Sequence, residues 1–438
     1  MSVHAALHAR HRQVLPSWMA LYYDQPIALV EGEGRRVKDA EGNEYLDFFG
    51  GILTTMTGYK VPAVVEAIKA QAERMLHTST LYLIENQISL AEKIAGLSGI
   101  PDAKVFFTNS GTEANDAALM IATQQRRSNQ VLAVRGSYHG RSHSTVAITG
   151  NRNWSSTSLY PFNVTYVHGG YRLRSPFLNL SDEDFIAACR ADLVNLLEVA
   201  TAGDVACLIA EPIQGVGGFA TPPDGFFAAL KEVCDQHGIL YISDEVQTGW
   251  GRTGENFWGY QAHGITPDML TFAKGLGNGT ALAGVVGRGE LIDSLPANSI
   301  STFGGNPLST AAGLANLDYL LDNDLQTNAH KVGNRLKANL DHLADEVDII
   351  AEVRGKGLML GVELVKPGGL EPDPAAAAAV MEAARKEGLL IGKGGLYGNT
   401  LRIAPPLSLT EDEADEGHEM LARAVKQVVD ITANRLSF

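Results

Sequence analysis

The chain has few cysteines and no long apolar run, and both absences limit its class. Its three cysteines, Cys189, Cys207 and Cys234, form no Cys-x-x-Cys pair. This argues against a disulfide framework or a cysteine zinc site, and we expect no metal. No apolar run reaches the ~20 residues of a membrane helix. The first residues also lack the apolar core of a signal peptide, so we expect a cytoplasmic protein without a membrane partner.

Positive charge is scarce. The 438 residues include 35 Lys and Arg against 50 Asp and Glu, a net charge of −15. Such a surface repels phosphate backbones, so we expect no nucleic-acid partner. Hydrophobic residues make up 45% of the chain, enough for a sizeable core, and a prior of roughly 150 residues per domain predicts two or three domains.

Short apolar runs alternate with helical patterns, which predicts an α/β fold. Apolar periodicity favours a helix over Pro62–Leu76. The runs predicted as strands are Lys104–Phe107, Val131–Val134, Cys207–Ala210, Ile239–Ile242 and Met269–Ala273. Because they are apolar throughout rather than alternating, we expect strands buried on both faces, in a parallel sheet between helix layers.

The two chain ends differ from the middle, and we divide the chain accordingly. An N-terminal segment (1–70) is expected to join a C-terminal small domain (330–438), and the large domain lies between them (71–329). Within the tail, Val353–Leu364 is interpreted as one strand interrupted by glycines. Thr410 and Glu413 form a capping box that predicts a final helix.

Polar residues follow the first predicted strand, where Ser110, Gly111 and Thr112 precede an alanine-rich helix. Small residues at such a turn leave backbone N–H groups pointing outward at a helix N-terminus, which attracts anions. Simple helix capping by Ser110 or Thr112 explains the same residues, so both interpretations stay open.

An acid and a lysine follow two later strands. Asp244 ends one apolar run and Lys274 follows the next, one βαβ passage further along the chain. Ligands of open α/β sheets bind at this edge. A buried lysine has a depressed pKa and becomes a nucleophilic amine able to form a Schiff base. A plain buried Asp–Lys ion pair is the alternative.

Pyridoxal 5′-phosphate (PLP) requires all three of these features together. Its phosphate needs an anion site, its ring nitrogen needs a carboxylate, and its aldehyde needs an amine. We therefore expect PLP as the cofactor.

The sequence resembles the class III aminotransferases, PLP enzymes of fold type I. The resemblance runs from Gly34 to Pro406, and its most specific part is Leu240–Gly254 followed by Pro267-Asp268 and Lys274. It implies a large PLP-binding domain whose central, mostly parallel sheet lies between helices. A smaller α+β domain is then formed by the two chain ends.

The resemblance also implies the cofactor-binding residues, which are Ser110, Gly111, Thr112, Tyr138, Glu211, Asp244, Val246, Gln247, Lys274 and Thr302. The first three hold the phosphate. Tyr138 and Val246 pack on opposite faces of the ring. Asp244 pairs with the ring nitrogen, and Lys274 forms the Schiff base and carries the proton; these two are the expected catalytic residues.

Further roles follow for residues around the ring. The resemblance places Gln247 near the ring hydroxyl and Glu211 in the floor of the site. Thr302 reaches the phosphate of a neighbouring subunit, which implies a homodimer whose sites are completed across subunits, with a tetramer left open. Arg402 binds the substrate carboxylate, a task that suits a bidentate guanidinium.

Two positions bear on the substrates, an amino acid donor and an oxo acid acceptor. Val216 stands where glutamate-using relatives often carry an acid that pairs with the carboxylate-binding arginine, so Arg402 lacks that gate. Arg141 matches an arginine that binds a distal carboxylate in 4-aminobutyrate-type relatives. Leu389–Asn399 looks most like the alanine–glyoxylate (mitochondrial type) and β-alanine–pyruvate branch. Tyr59 departs from the usual histidine.

We therefore expect an aminotransferase that moves an amino group from alanine, β-alanine or an ω-amino acid to pyruvate or glyoxylate. The first alternative is a 4-aminobutyrate or ornithine type enzyme that uses 2-oxoglutarate. The second is a PLP-dependent decarboxylase or aminomutase on the same scaffold.

Overall fold

The structure is a computed structural model that describes residues 2–436, with side chains to residue 431. Its strands are β1 Leu29–Glu33, β2 Arg36–Asp39, β3 Glu44–Asp47, β4 Ala103–Thr108, β5 Gln130–Val134, β6 Asn163–Val167, β7 Cys207–Ala210, β8 Leu240–Asp244, β9 Met269–Phe272, β10 Ala283–Arg288, β11 Ile350–Lys356, β12 Met359–Leu364, β13 Leu389–Leu390, β14 Gly392–Gly394 and β15 Thr400–Ile403. Its α-helices are α1 Val3–Val14, α2 Gly50–Leu53, α3 Pro62–Arg74, α4 Glu85–Leu97, α5 Gly111–Arg126, α6 His143–Ala147, α7 Asp182–Val199, α8 Phe226–Gln236, α9 Gly289–Ile292, α10 Pro307–Asp322, α11 Leu325–Glu346, α12 Pro374–Lys386 and α13 Glu411–Leu436. Single 3₁₀ turns cover Arg172–Arg174, Gly259–His263 and Lys274–Gly277.

A seven-stranded sheet in the order β4-β10-β9-β8-β7-β5-β6 forms the centre of the molecule. Strands β5 to β9 pair in parallel, while β10 runs antiparallel to both β4 and β9. Each predicted apolar run overlaps one of these strands, with Ile239 and Ala273 one residue outside, and the α/β prediction is confirmed. Because β4, β5, β7, β8 and β9 point the same way, their carboxyl ends meet at one edge of the sheet.

Helices cover both faces of this sheet. Along β5, Val131 and Ala133 pack in the same cluster as α5, whereas Leu132 and Val134 pack with α7 and α8. Successive side chains of a strand point to opposite faces, so both faces are buried. This burial explains why the strand sequences are apolar throughout.

The two chain ends meet in a smaller sheet, β1-β2-β3-β13. Leu389 and Leu390 pair in parallel with Leu46 and Asp47. The N-terminal segment thus contacts the C-terminal part of the chain directly, in line with the expected arrangement. The domain boundaries at 70 and 329 stay predictions.

A third sheet, β11-β12-β15-β14, corrects one expectation. Residues 353–364 do not form a single strand, because β11 and β12 form an antiparallel hairpin. The chain reverses at Gly357, whose φ is +54° and where an added Cβ would lie only 2.5 Å from the Thr253 backbone carbon. A left-handed residue in tight contact favours glycine, so the glycines mark a turn rather than an irregular strand.

The last helix begins as predicted. The Thr410 hydroxyl accepts from the Glu413 N–H at 3.2 Å, and a Glu413 carboxylate oxygen accepts from the Thr410 N–H at 3.1 Å. Among the residues that the structure describes, none lies in a helix long and apolar enough to span a membrane.

A buried carboxylate next to the sheet edge fixes the segment that follows β8. Glu245 is fully buried and accepts from the backbone N–H groups of Gly259 and Tyr260, each at 2.8 Å. The hydroxyls of Ser243 and Thr248 donate to it at 3.1 and 2.6 Å. Four donors satisfy this carboxylate, which offsets part of the cost of burying its charge.

We predict that Glu245→Ala destabilises the protein by at least ~3 kcal/mol, because each buried donor left without an acceptor costs about 1–3 kcal/mol. The matched control is Glu66→Ala. Glu66 pairs with Lys69 at the surface, and its loss changes stability by less than ~1 kcal/mol. Urea denaturation midpoints of the two variants measure the difference, and equal midpoints contradict the prediction.

Candidate active site

A cavity of about 380 Å³ opens at the carboxyl edge of the central sheet. Nine of the predicted cofactor-binding residues line it, namely Ser110, Gly111, Thr112, Tyr138, Glu211, Asp244, Val246, Gln247 and Lys274. The acid and the lysine that the sequence placed one βαβ passage apart therefore face one cavity. Parallel strands with a common carboxyl edge bring them together.

The N-terminus of α5 forms one wall of the cavity. Ser110 is its N-cap, and the Ser110 hydroxyl accepts from the Glu113 N–H at 3.3 Å. Helix capping and an anion site are thus compatible here, since the cap leaves Gly111 and Thr112 at the cavity. A Cβ on Gly111 would lie 3.2 Å from a Val246 methyl, so glycine allows the helix end to approach Val246 closely.

Asp244 is buried and held by two residues that were not predicted. His139 Nδ1 lies 2.7 Å from Asp244 Oδ2, and the Asn115 side-chain amide donates to the same oxygen at 2.8 Å. The Val246 N–H donates to Oδ1 at 3.1 Å. Asn115 is fixed in turn by the Thr271 hydroxyl, which donates to its Oδ1 at 2.7 Å. These hydrogen bonds satisfy both carboxylate oxygens and fix their direction.

Glu211 connects the cavity floor to the loop that follows it. Its two carboxylate oxygens accept from the backbone N–H groups of Tyr138 at 2.9 Å and Gly215 at 2.7 Å. Burial raises the pKa of this carboxyl group. The Tyr138 ring meets Trp154 edge to face, with centroids 5.5 Å apart. Glu211 thus fixes the backbone on both sides of the cavity.

Lys274 has an unusual backbone and a perturbed amine. Its φ is +41°, a left-handed conformation that costs a non-glycine residue energy and is often found at functional sites. Burial lowers the pKa of the amine, the Asp244 carboxylate opposes this shift, and Arg402 adds to it. A lowered pKa increases the fraction of neutral, nucleophilic amine.

The residues present fit PLP. The helix end suits a phosphate, and the carboxylate of Asp244 and the amine of Lys274 suit the ring nitrogen and the aldehyde. Gln247 Oε1 is a buried oxygen without a hydrogen-bond partner, in a side chain that lines the same cavity. Such an atom indicates a polar group that the bound cofactor supplies.

Arg402 lies beside this cavity rather than in its lining. It is buried, and its guanidinium carbon lies 4.9 Å from the Phe49 ring centroid and 5.5 Å from that of Phe219. One terminal nitrogen donates to the Gly215 carbonyl at 3.3 Å. No carboxylate of the described chain forms an ion pair with it, and its Nε is buried without a partner. Val216, which follows Gly215 in the chain, has no acidic side chain.

Two further predicted residues, like Arg402, are not part of the cavity lining. Arg141 is exposed, and its guanidinium carbon lies over the Trp18 ring at 5.5 Å from the centroid. Thr302 is exposed as well. Tyr59, the departure noted in the sequence, donates from its hydroxyl to Asp47 at 2.6 Å. Within residues 2–431, no group of three or more His, Cys, Asp or Glu side chains could hold a metal ion.

His139 and Asn115 were not predicted from the sequence, although each carries a signal there. Asn115 is a polar residue among the buried alanines of α5. His139 follows Tyr138 after β5, at the same sheet edge as Asp244. Phe49 and Phe219 left no comparable signal, because their contact with Arg402 joins segments that lie far apart in the chain.

Comparisons with known proteins agree with this geometry. Residues 19–425 match the family model described as Aminotransferase class-III. An Arabidopsis thaliana protein named Alanine–glyoxylate aminotransferase 2 homolog 2, mitochondrial, is 41% identical over 412 residues, or 93% of this chain and 84% of the relative. An Alanine/serine racemase from Pyrococcus horikoshii is 35% identical and covers 92% and 86% of the two chains.

Solved structures share the fold over nearly the full chain. An amine transaminase from an uncultivated Pseudomonas species, in its PLP-bound form, superposes with a TM-score of 0.88. It is 30% identical and covers 95% of this chain and 98% of its own. Sequence, fold and site residues lead to the same conclusion: the chain belongs to the class III aminotransferase family, PLP-dependent transaminases of fold type I.

Proposed function

We propose that this transaminase moves an amino group from alanine, β-alanine or an ω-amino acid to a small oxo acid such as pyruvate or glyoxylate. The proposal rests on Arg402, which has no carboxylate partner in the described chain. Its hydrogen-bond acceptor, Gly215, is followed in the chain by the uncharged Val216. A substrate with one carboxylate binds such an arginine without displacing an acid. The name of the Arabidopsis relative mentions two of these substrates, alanine and glyoxylate.

The cavity residues have distinct roles in this proposal. When bound, PLP supplies an electron-withdrawing ring that stabilises negative charge on the donor carbon. The N-terminus of α5 would hold the phosphate, and Asp244, fixed by His139 and Asn115, would face the ring nitrogen. Lys274 Nζ would hold the aldehyde end of the cofactor and would carry the proton of the donor carbon. Arg402 orients the donor through its carboxylate.

Two other reactions on this scaffold remain alternatives. One relative is named as a racemase rather than an aminotransferase. A decarboxylase or an aminomutase would likewise use the same scaffold for a different reaction. A 4-aminobutyrate or ornithine type enzyme using 2-oxoglutarate needs a second cation for the distal carboxylate. Arg141 is the candidate, but its guanidinium lies on Trp18 outside the cavity lining.

We also propose a homodimer. An exposed apolar segment carries Leu81, Tyr82 and Leu83, the last 93% exposed. Phe303, another exposed side chain, lies beside His77 with ring centroids 5.0 Å apart. Contiguous apolar surface of this kind marks interaction sites. Thr302 adjoins Phe303, so a second copy on this surface brings Thr302 close to the partner's phosphate site.

For the compartment we propose the cytoplasm. The three cysteines are free and buried, and burial raises the pKa of Cys189 and Cys234 to about 12. Thiols in this state stay protonated and unreactive, as suits a reducing compartment. The Arabidopsis relative is named as mitochondrial. Fractionation of the native cells therefore tests whether the protein lies in the cytoplasm or in mitochondria.

We predict that Lys274→Ala binds PLP but loses transamination, because it removes the amine that is proposed to move the proton at the donor carbon. The expected loss in kcat is at least ~10²–10⁴-fold, the usual contribution of a positioned acid–base group. Cofactor content is measured by phosphate analysis after dialysis, and turnover by oxo acid release. Lys69→Ala, a surface variant, is the control. Retained turnover in Lys274→Ala contradicts the assignment.

We predict that pyruvate or glyoxylate exceeds 2-oxoglutarate as acceptor at least ~10-fold in kcat/KM, the effect of one unfavourable charge contact of ~1.4 kcal/mol.

Alanine, β-alanine, 4-aminobutyrate, ornithine and glutamate are offered in turn to the PLP form. Stoichiometric oxo acid without carbon dioxide supports transamination. Formation of the opposite enantiomer without oxo acid supports racemisation, and carbon dioxide release supports decarboxylation.

The Val216 variants sharpen this test. Val216→Glu places an acid next to Arg402 and raises the KM of pyruvate and glyoxylate, because the guanidinium is then paired. Val216→Gln has nearly the same shape without the charge, so it isolates the electrostatic part. Equal KM values for the two variants contradict a role for the missing acid.

We predict that the wild-type protein is a dimer and that Leu83→Asp shifts it to monomer, since a charge in an apolar interface is costly. Light scattering coupled to size exclusion measures the mass. Val199→Asp, at another exposed valine, is the control and stays dimeric. A monomeric wild type, or a dimer unaffected by Leu83→Asp, overturns this interface, and a tetrameric mass places dimers in pairs.

A further inference from the structure

Two arginines lie in one cross-strand row of the third sheet. In the register of this sheet, Arg354 of β11 is opposite Gly361 of β12, and Gly361 is opposite Arg402 of β15. Residues in one row of an antiparallel sheet share a face. The row therefore consists of Arg354, Gly361 and Arg402, and the two arginine side chains lie on the same face of the sheet.

A glycine-rich loop, residues 215–218, lies on that face and bonds to both arginines. Arg354 Nε donates to the Gly218 carbonyl at 3.0 Å, and a terminal nitrogen of Arg402 donates to the Gly215 carbonyl at 3.3 Å. A Cβ on Gly361 would lie 2.7 Å from the Gly218 oxygen, so glycine in the middle of the row makes room for the loop. The two arginines hold its two ends.

The loop is also fixed from the cavity side. The Gly215 N–H donates to Glu211 at 2.7 Å, and the Val216 carbonyl accepts from the Gly395 N–H at 3.0 Å. Any shift of the loop therefore moves the carbonyl that holds Arg402. The bond from Arg354 lies at the opposite end of this loop from the cofactor cavity.

Arg354 is itself fixed by a buried cluster outside the active site. One terminal nitrogen lies 2.6 Å from Glu363, whose side chain is fully buried, and the other lies 3.2 Å from the Thr400 hydroxyl. Arg174 pairs with the other Glu363 oxygen at 2.6 Å. A charge buried with this many partners is geometrically rigid. Nothing in the transamination chemistry uses Arg354 or Glu363.

We propose that Arg354 is a positioning residue for substrate carboxylate binding: it fixes loop 215–218 and thereby orients Arg402. This rests on the proposed role of Arg402. A guanidinium that binds a carboxylate in a two-bond geometry depends on its direction as well as its charge. The held loop takes one Arg402 nitrogen and leaves the Nε without a protein partner.

The test uses the PLP-loaded enzyme and the variant Arg354→Lys. A lysine keeps the charge beside Glu363 but cannot reproduce the three directions in which arginine donates. We expect the KM of the amino acid donor and of the oxo acid to rise about tenfold while kcat changes less than about twofold, since a small misplacement of a binding group is costly. Gly361→Ala, which pushes on the Gly218 carbonyl, shifts KM in the same direction.

Arg174→Lys is the matched control, because Arg174 pairs with the same carboxylate but has no bond to the loop. It leaves KM within about twofold. A double-mutant cycle with Arg402→Lys isolates the route: the Arg354→Lys effect disappears in the Arg402→Lys background, since there is no guanidinium left to orient.

The outcomes separate the two proposals. If Arg402→Lys leaves KM unchanged, the carboxylate role of Arg402 fails, and with it the proposed function's substrate site. If Arg402→Lys raises KM but Arg354→Lys does not, only the positioning role is overturned. Effects that multiply in the double variant, or an Arg354→Lys effect on kcat alone, also overturn it.

Discussion

The site depends on giving one buried carboxylate its hydrogen-bond partners. Asp244 at the end of β8 is buried, and an unpaired charge in a buried place is unstable. His139 and Asn115 meet a single oxygen of it at 2.7 and 2.8 Å. These partners come from the segment after β5 and from α5, so the carboxylate is hydrogen-bonded only when sheet order and helix packing are both correct. The catalytic requirement and the fold are thereby the same constraint.

Lys274 shows the opposite consequence of the same burial. The surroundings that destabilise an unpaired carboxylate also destabilise an ammonium, so the pKa of its amine falls. Asp244 opposes that shift, and the balance leaves an amine that can act as nucleophile and proton carrier. The left-handed backbone of Lys274 is held by the sheet edge. Strain of this kind persists only where the surrounding structure is rigid.

The sequence predicted the parts of the site that follow directly from strand order. Ser110, Asp244 and Lys274 each come after an apolar run, and parallel strands place such residues at one edge. It did not predict contacts made between distant segments, such as Phe49 and Phe219 on Arg402, because no local pattern encodes them. The hairpin at Gly357 was mistaken for one strand, since two short strands and a tight glycine turn resemble a single interrupted run.

The surroundings of the Arg402 guanidinium bear on which substrate the enzyme binds. Its guanidinium lies over two aromatic rings, those of Phe49 and Phe219, and the faces of such rings attract a cation. One nitrogen is already bound to Gly215, and no acid of the described chain competes for the rest. An enzyme with a glutamate in that place must break an ion pair before it binds a small oxo acid. In the proposed function the substrate carboxylate itself completes the site, and the preference for a single carboxylate is inferred from what the arginine lacks.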